Sequence, residues 1–237
     1  MAHVRLLVST VLFTLPLVGQ ASMALQFNFG ANGVNEPTWN NVPAGLGYVG
    51  NPDTISNLVD TSDNPTSYSL TVTSIANGPN FSGTTSSTLF PAFATEFNIF
   101  GNTPEAGNGI ANVTPVYELK GLETDVAYDF LFYASRAGVS DNRETTYRLT
   151  GTTVEAVDLN PSNNIDTFVT IENVFPDEFG TFQIEVLPGP NNDNSFTFTY
   201  LGVLQVTQVP EPETYGLIAG AVIGLAVAVR RRRSAKA

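Results

Sequence analysis

Arg136 and Arg143 stand in the run Tyr133-Ala134-Ser135-Arg136-Ala137-Gly138-Val139-Ser140-Asp141-Asn142-Arg143-Glu144-Thr145-Thr146-Tyr147. Planar guanidinium and carboxylate groups offer fixed hydrogen-bond forks. Arg136, Asp141, Asn142 and Arg143 are therefore candidate contacts for sugar hydroxyls. The same residues also read as a braced loop, with the arginines paired to Asp141 and Glu144. Between Leu25 and Gln208 the only basic residues are Lys120, Arg136, Arg143 and Arg148, against twenty acidic ones. Scarce cations in an acidic domain are most readily explained as internal counter-ions, so bracing is the favoured reading. Trp39, the single tryptophan, joins the candidates as a ring able to stack on a pyranose, although packing at the edge of a core is the commoner use of such a ring.

Other chemistry is thinly supported. Asp177 with Glu178, or Glu123 with Asp125, would have to serve as the acid and base of a glycosidase. Neighbouring strand residues point to opposite faces, and Gly121-Leu122-Glu123-Thr124-Asp125 reads as a solvated turn. The chain has no cysteine, and its one histidine is His3. Once the first residues are removed, a Ser/His/Asp triad, a Cys/His dyad, histidine-ligated zinc, iron-sulfur clusters and disulfides are all excluded. The expectation is a protein that is not an enzyme, with no catalytic residue, no metal and no cofactor. Its strongly anionic body should repel nucleic acid.

The elements that must carry these residues are strands. Helical periodicity is nearly absent, and short stretches alternate apolar with polar residues. In Ser67 to Thr73 this puts Tyr68, Leu70 and Val72 on one face. Val126 to Ala134 alternates Val126, Tyr128, Phe130 and Phe132 against Ala127, Asp129, Leu131 and Tyr133, the pattern of a central strand buried on both faces for part of its length. Further strands are expected at Leu25 to Phe29, Val116 to Leu119, Thr145 to Leu149, Val154 to Leu159, Thr167 to Ile171, Thr181 to Leu187 and Ser195 to Thr207. Asn51-Pro52-Asp53, Asn77-Gly78-Pro79-Asn80 and Pro188-Gly189-Pro190-Asn191-Asn192 read as turns between them. Many short strands without helices imply an all-β fold, here a two-sheet antiparallel sandwich of jelly-roll type with its first and last strands near each other. Phe81 to Ile110 is the least regular stretch. Its phenylalanines should fold it back on the sandwich.

The two ends are built differently. Residues 1–24 combine Arg5, an apolar run from Leu6 to Val18 and small residues at Ser22 and Ala24, the pattern of a secretory signal helix. Cleavage after Ala24 is the first choice and after Ala21 the second. At the other end Val209-Pro210-Glu211-Pro212-Glu213-Thr214 precedes an uncharged apolar run from Tyr215 to Val229, then Arg230-Arg231-Arg232-Arg233. At about 1.5 Å per residue the run makes a helix of roughly 22 Å, short against a hydrocarbon core of about 30 Å. Thr214 and the arginine stems extend it into a transmembrane helix over 214–229. The four arginines keep that end cytoplasmic, which places the body outside.

This combination of motif, span and basic cluster resembles the PEP-CTERM sorting signal. The resemblance implies Pro210, Glu211 and Pro212 as the sorting motif and Arg230 to Arg233 as the membrane stop. It also implies an exosortase-like membrane transpeptidase as partner, transient residence in the inner membrane, and delivery to the cell surface or extracellular matrix. The chain then divides into a signal peptide (1–24), a β-sandwich (25–207) and a sorting tail (208–237). The run around Arg136, with Asn57-Leu58-Val59-Asp60-Thr61-Ser62-Asp63-Asn64-Pro65-Thr66 and Tyr200-Leu201-Gly202, resembles secreted β-sandwich modules with a galactose-binding-like fold. That second resemblance implies polysaccharide as a further partner.

Overall fold

The computed structural model describes residues 23–30, 36–105 and 110–210. The signal segment through Ser22, Glu211 and Pro212, the apolar run 214–229 and Arg230 to Arg233 lie outside the described residues. Among the described residues no helix is long and apolar enough to cross a membrane.

The elements in chain order are β1 (Ala24–Phe29), β2 (Asn40–Val42), β3 (Thr54–Ser56), β4 (Ser69–Ser74), β5 (Gly78–Asn80), the single helical turn α1 (Ala92–Thr95), β6 (Asn98–Gly101) and β7 (Val116–Lys120). They continue with β8 (Tyr128–Tyr133), β9 (Thr145–Thr150), β10 (Val154–Leu159), β11 (Val169–Val174), β12 (Thr181–Pro188), β13 (Thr199–Leu201) and β14 (Val203–Gln208). A five-stranded sheet runs β11-β8-β14-β1-β2 and a six-stranded sheet runs β10-β9-β12-β7-β4-β3. All pairings are antiparallel except β1 with β2, which is parallel. The first and last strands are neighbours, with Leu25 opposite Val206 and Phe27 opposite Leu204.

Alternation along the strands builds the core. Phe130 and Phe132 on β8 point between the sheets, where Phe132 stacks on Tyr147 of β9 (4.6 Å between centroids) and Phe130 meets Phe182 of β12 edge-on at 4.8 Å. Phe29 of β1 meets Tyr117 of β7 at 5.1 Å. Each of these pairs joins one sheet to the other, and all six rings are fully or almost fully buried. Burying each such side chain stabilises the fold by about 1.5–3 kcal/mol.

The expected two-sheet sandwich is present, with an addition. A third sheet, β13-β6-β5, lies outside the two-layer pattern. Two local readings change with it. Asn77 to Asn80 was expected as a turn, but Gly78–Asn80 forms β5, paired with Phe100, Ile99 and Asn98 of β6. Ser195 to Thr207 was expected as one strand, but it breaks at Gly202. A Cβ there would lie 2.6 Å from the Asn98 Oδ1, and the Gly202 amide donates to the Tyr133 carbonyl. That close approach moves the chain from β13 in the three-stranded sheet to β14 in the five-stranded one. The irregular stretch 81–110 contains α1 and β6, and its phenylalanines do fold back. Phe90 meets Tyr133 and Phe93 meets Trp39 edge-on, at 5.4 and 5.3 Å.

Candidate functional site

The small sheet makes one wall of a cleft. Its register sets Tyr200 of β13 beside Phe100 of β6, and Phe100 beside Gly78 of β5. Strand alternation then turns Ile99 and Leu201 into the core, both fully buried, and leaves Phe100 and Tyr200 on the opposite face. A Cβ at Gly78 would sit in ordinary van der Waals contact with the Phe100 ring, 3.5 Å away. Phe198 extends the aromatic wall, 5.6 Å from Phe100 and 6.3 Å from Tyr200.

Arg136 and Arg143 line the same cleft, which has a volume of about 300 Å³. Pro79, Asn80, Phe81 and Ser82 complete it. The Asn80 amide nitrogen is buried without a hydrogen-bond partner. None of the lining residues carries a carboxylate.

Arg136 is held through its backbone. Its amide donates to the Pro161 carbonyl at 2.7 Å, its carbonyl accepts from Asn163 at 2.8 Å, and the next amide, of Ala137, donates to Ser82 at 2.6 Å. Just before it, Ser135 is fastened to β6. The Asn98 Nδ2 donates to the Ser135 carbonyl at 2.7 Å, and the Ser135 amide donates to the Asn98 Oδ1 at 3.1 Å. The Arg136 side chain forms no ion pair among the described residues, and its Nη1 donates to the Ala137 carbonyl at 2.5 Å.

Arg143 is held through its side chain. Its Nε donates to Asp141 at 3.1 Å, and Nη1 donates to the Tyr200 hydroxyl at 2.6 Å. Its guanidinium carbon lies 5.4 Å from the Phe198 centroid and 5.9 Å from that of Tyr200, within cation–π range. Burial pushes the Tyr200 hydroxyl up from the usual tyrosine range, and the charges of Arg143 and Arg136 offset only part of that rise. Burial also works to raise the Asp141 carboxyl, but hydrogen bonds from Arg143 and Asn194 outweigh it and leave its pKa below the ordinary carboxylate value.

The five glycan candidates therefore separate. Arg136 and Arg143 meet in the cleft. Asp141 stands behind Arg143 as its counter-ion, and the Asn142 Oδ1 accepts from the Glu144 amide at 2.9 Å, so both serve to brace the loop. Glu144 pairs with neither arginine; its carboxylate accepts from the amide and side chain of Asn191. Trp39 packs with Phe93 beside Tyr133 and is not part of the cleft wall. Among the carboxylates weighed for glycosidase chemistry, Asp177 accepts from the amides of Phe179 and Thr181 and thus caps its own turn.

Phe100, Phe198 and Tyr200 were not among the expected contacts. Their signal is the period-two run Phe196-Thr197-Phe198-Thr199-Tyr200, whose aromatic side faces away from the buried Thr199 and Leu201. A larger groove of about 530 Å³ lies along residues 158–169. Its polar groups are already engaged. Asn164 bonds the Ala134 and Thr167 carbonyls, and Asp166 accepts from Ser87 and Thr88.

The chain leaves the sandwich at the end of β14 and runs directly into the basic-tipped apolar tail. Residues 208–233 match the PEP-CTERM protein-sorting motif. This motif marks an exported protein that is directed to an exosortase through a C-terminally anchored intermediate. No curated protein matches the chain. Similar solved structures include the ANXUR2 extracellular domain from Arabidopsis thaliana, at 12% identity and a TM-score of 0.40, covering 79% of this chain and 42% of that one. The ANX2 ectodomain from the same plant is similar at 10% identity and a TM-score of 0.44, covering 80% of this chain and 50% of that one. TmCBM61, solved in complex with beta-1,4-galactotriose, is similar at 13% identity and a TM-score of 0.31, covering 61% and 88%. This chain thus spans half or less of the two plant ectodomains. At such identities and scores the likenesses carry nothing further about it.

Proposed function

We propose that this is a non-enzymatic protein of the cell surface or extracellular matrix. In this reading an exosortase-like transpeptidase processes its tail near Pro210-Glu211-Pro212 after the apolar run has held it briefly in the inner membrane. The PEP-CTERM motif over residues 208–233 carries the reading. Replacing Pro210, Glu211 and Pro212 with alanine in the native host should leave export intact and strand the protein in the inner membrane. Replacing Arg230 to Arg233 with serine removes the charge that sets topology, so part of the population should pass through unanchored. Fractionation with mass measurement distinguishes the two variants. Release of the alanine variant like the parent would reduce the segment to a spacer and the tail to an ordinary anchor.

A second reading concerns what the body does on arrival: it binds carbohydrate. The observation that favours it is the cleft, where aromatic rings and guanidinium groups converge on an open concavity, the common composition of small-ligand sites. Retention of the exported protein on polysaccharide columns, lost on Phe198→Ala, tests this. Equal retention of parent and variant would point to another surface.

A further inference from the structure

Four basic residues serve the whole body between Leu25 and Gln208, and three of them are matched. Lys120 pairs with Glu118 at 2.7 Å, Arg143 with Asp141 at 3.1 Å and Arg148 with Glu185 at 2.6 Å. Arg136 is the remaining cation. It has no carboxylate within pairing distance among the described residues, although the body carries twenty acidic side chains. An acidic surface offers an arginine many partners at little cost, so one kept apart from all of them calls for another account.

Its surroundings supply one. Arg136 lines the cleft together with Arg143 and the rings, and no acid is among the lining residues. Arg143 contributes less net charge because Asp141 is bound to its Nε, and its place over Phe198 and Tyr200 makes it part of the stacking surface. The cleft therefore combines an apolar ring face with one uncompensated guanidinium. Such a fork matches a planar carboxylate and gains most from it where bulk water is reduced.

Building on the carbohydrate reading above, we propose that the cleft selects an acidic sugar: a hexuronate residue whose ring lies along Phe100 and Phe198 and whose carboxylate is bound by Arg136. At about 300 Å³ the cleft stands at the lower end of small-ligand sites, which suits a single sugar unit at a chain end or branch.

The test is calorimetric titration of the full chain, in detergent, with three probes: a uronic acid oligosaccharide, its carboxyl-reduced neutral counterpart and a sulfated oligosaccharide of the same length. The uronate should bind at least tenfold more tightly than the reduced sugar. Arg136→Gln should remove that difference while leaving the thermal transition in place. Arg136→Lys, which keeps charge without the fork, should fall between the two. Equal binding of uronate and reduced sugar, unchanged in Arg136→Gln, would overturn the acidic-sugar assignment and leave carbohydrate binding standing. A preference for the sulfated probe would overturn the carboxylate. Binding of none of the three would sink the carbohydrate reading with it.

Discussion

Arg143 holds Asp141 through its Nε, 3.1 and 3.2 Å from the two carboxylate oxygens, and the same guanidinium lies over the ring of Phe198. One ion pair thus fastens the loop before β9 to the aromatic wall before β13. Asp141 takes a second hydrogen bond from Asn194, which draws the turn after β12 into the same junction.

This junction gives stability a defined pH dependence. Hydrogen bonds hold the Asp141 carboxyl below its ordinary pKa against the opposing effect of burial. The backbone amide of Asn64 lowers Asp60 and that of Thr88 lowers Asp166 in the same direction. A carboxylate whose pKa is depressed by folding stabilises the fold above its unfolded value of about 3.9, and loses that contribution as pH falls through the folded value. Thermal unfolding followed by circular dichroism should be nearly flat from pH 7 to about 5 and decline below about 4. Asp141→Asn should shorten that decline. A variant with the parent's full acid slope would show that Asp141 contributes nothing to it.

Phe132→Ala empties a position at the centre of the sandwich, where the ring stacks on Tyr147 at 4.6 Å. Large-to-small core substitutions of this kind cost about 3–5 kcal/mol. Denaturant unfolding should show the midpoint fall with little change in slope. A loss under 1 kcal/mol would mean that the neighbouring rings close over the void.

Asn98 is fully buried and joins β6 to the residue before Arg136 by two hydrogen bonds. Asn98→Ala leaves the Ser135 amide and carbonyl without those partners, at about 1–3 kcal/mol for each unmet group. Arg136 should then lose its fixed place, and any ligand affinity that depends on it should drop while aromatic stacking survives. Hydrogen exchange at residues 134–137 reports the loosening directly.

The start of β1 bears on signal cleavage. Ala24 pairs with Thr207, the Gln208 amide donates to the Met23 carbonyl at 2.8 Å, and the Thr61 amide donates to Ala24 at 2.9 Å. Removal of residues 1–24 would delete both carbonyl acceptors, whereas cleavage after Ala21 keeps them. The mature protein is therefore expected to begin at Ser22, and a chain beginning at Leu25 should lose about 1 kcal/mol for each missing bond. N-terminal sequencing decides the first point and thermal unfolding of the two forms the second.

Much of the sandwich was legible because its strands bury alternate residues. Tyr68, Leu70 and Val72, like Phe130 and Phe132, announce their face by period alone. The small sheet was not legible in this way. Its strands are three or four residues long, and β5 contains Gly78 and Pro79, residue types that ordinarily mark a turn. The arginines were visible as scarce cations, but the aromatic and amide groups that surround the Arg143–Asp141 pair, Asn194, Phe198 and Tyr200, lie more than fifty residues further along. Arg143 and Asp141 form the ion pair that bracing requires. Bracing does not describe Arg136, whose backbone is pinned while its charge stays unmatched.

β14 lies between β8 and β1 in the five-stranded sheet, and it is also the last strand described. A chain synthesised from its N-terminus cannot zip β1 to β8 until Val203–Gln208 has emerged. The sandwich therefore stays unfinished through nearly the whole of synthesis, with its central slot open. The placement of this one strand thus makes closure of the five-stranded sheet the last step that chain order permits.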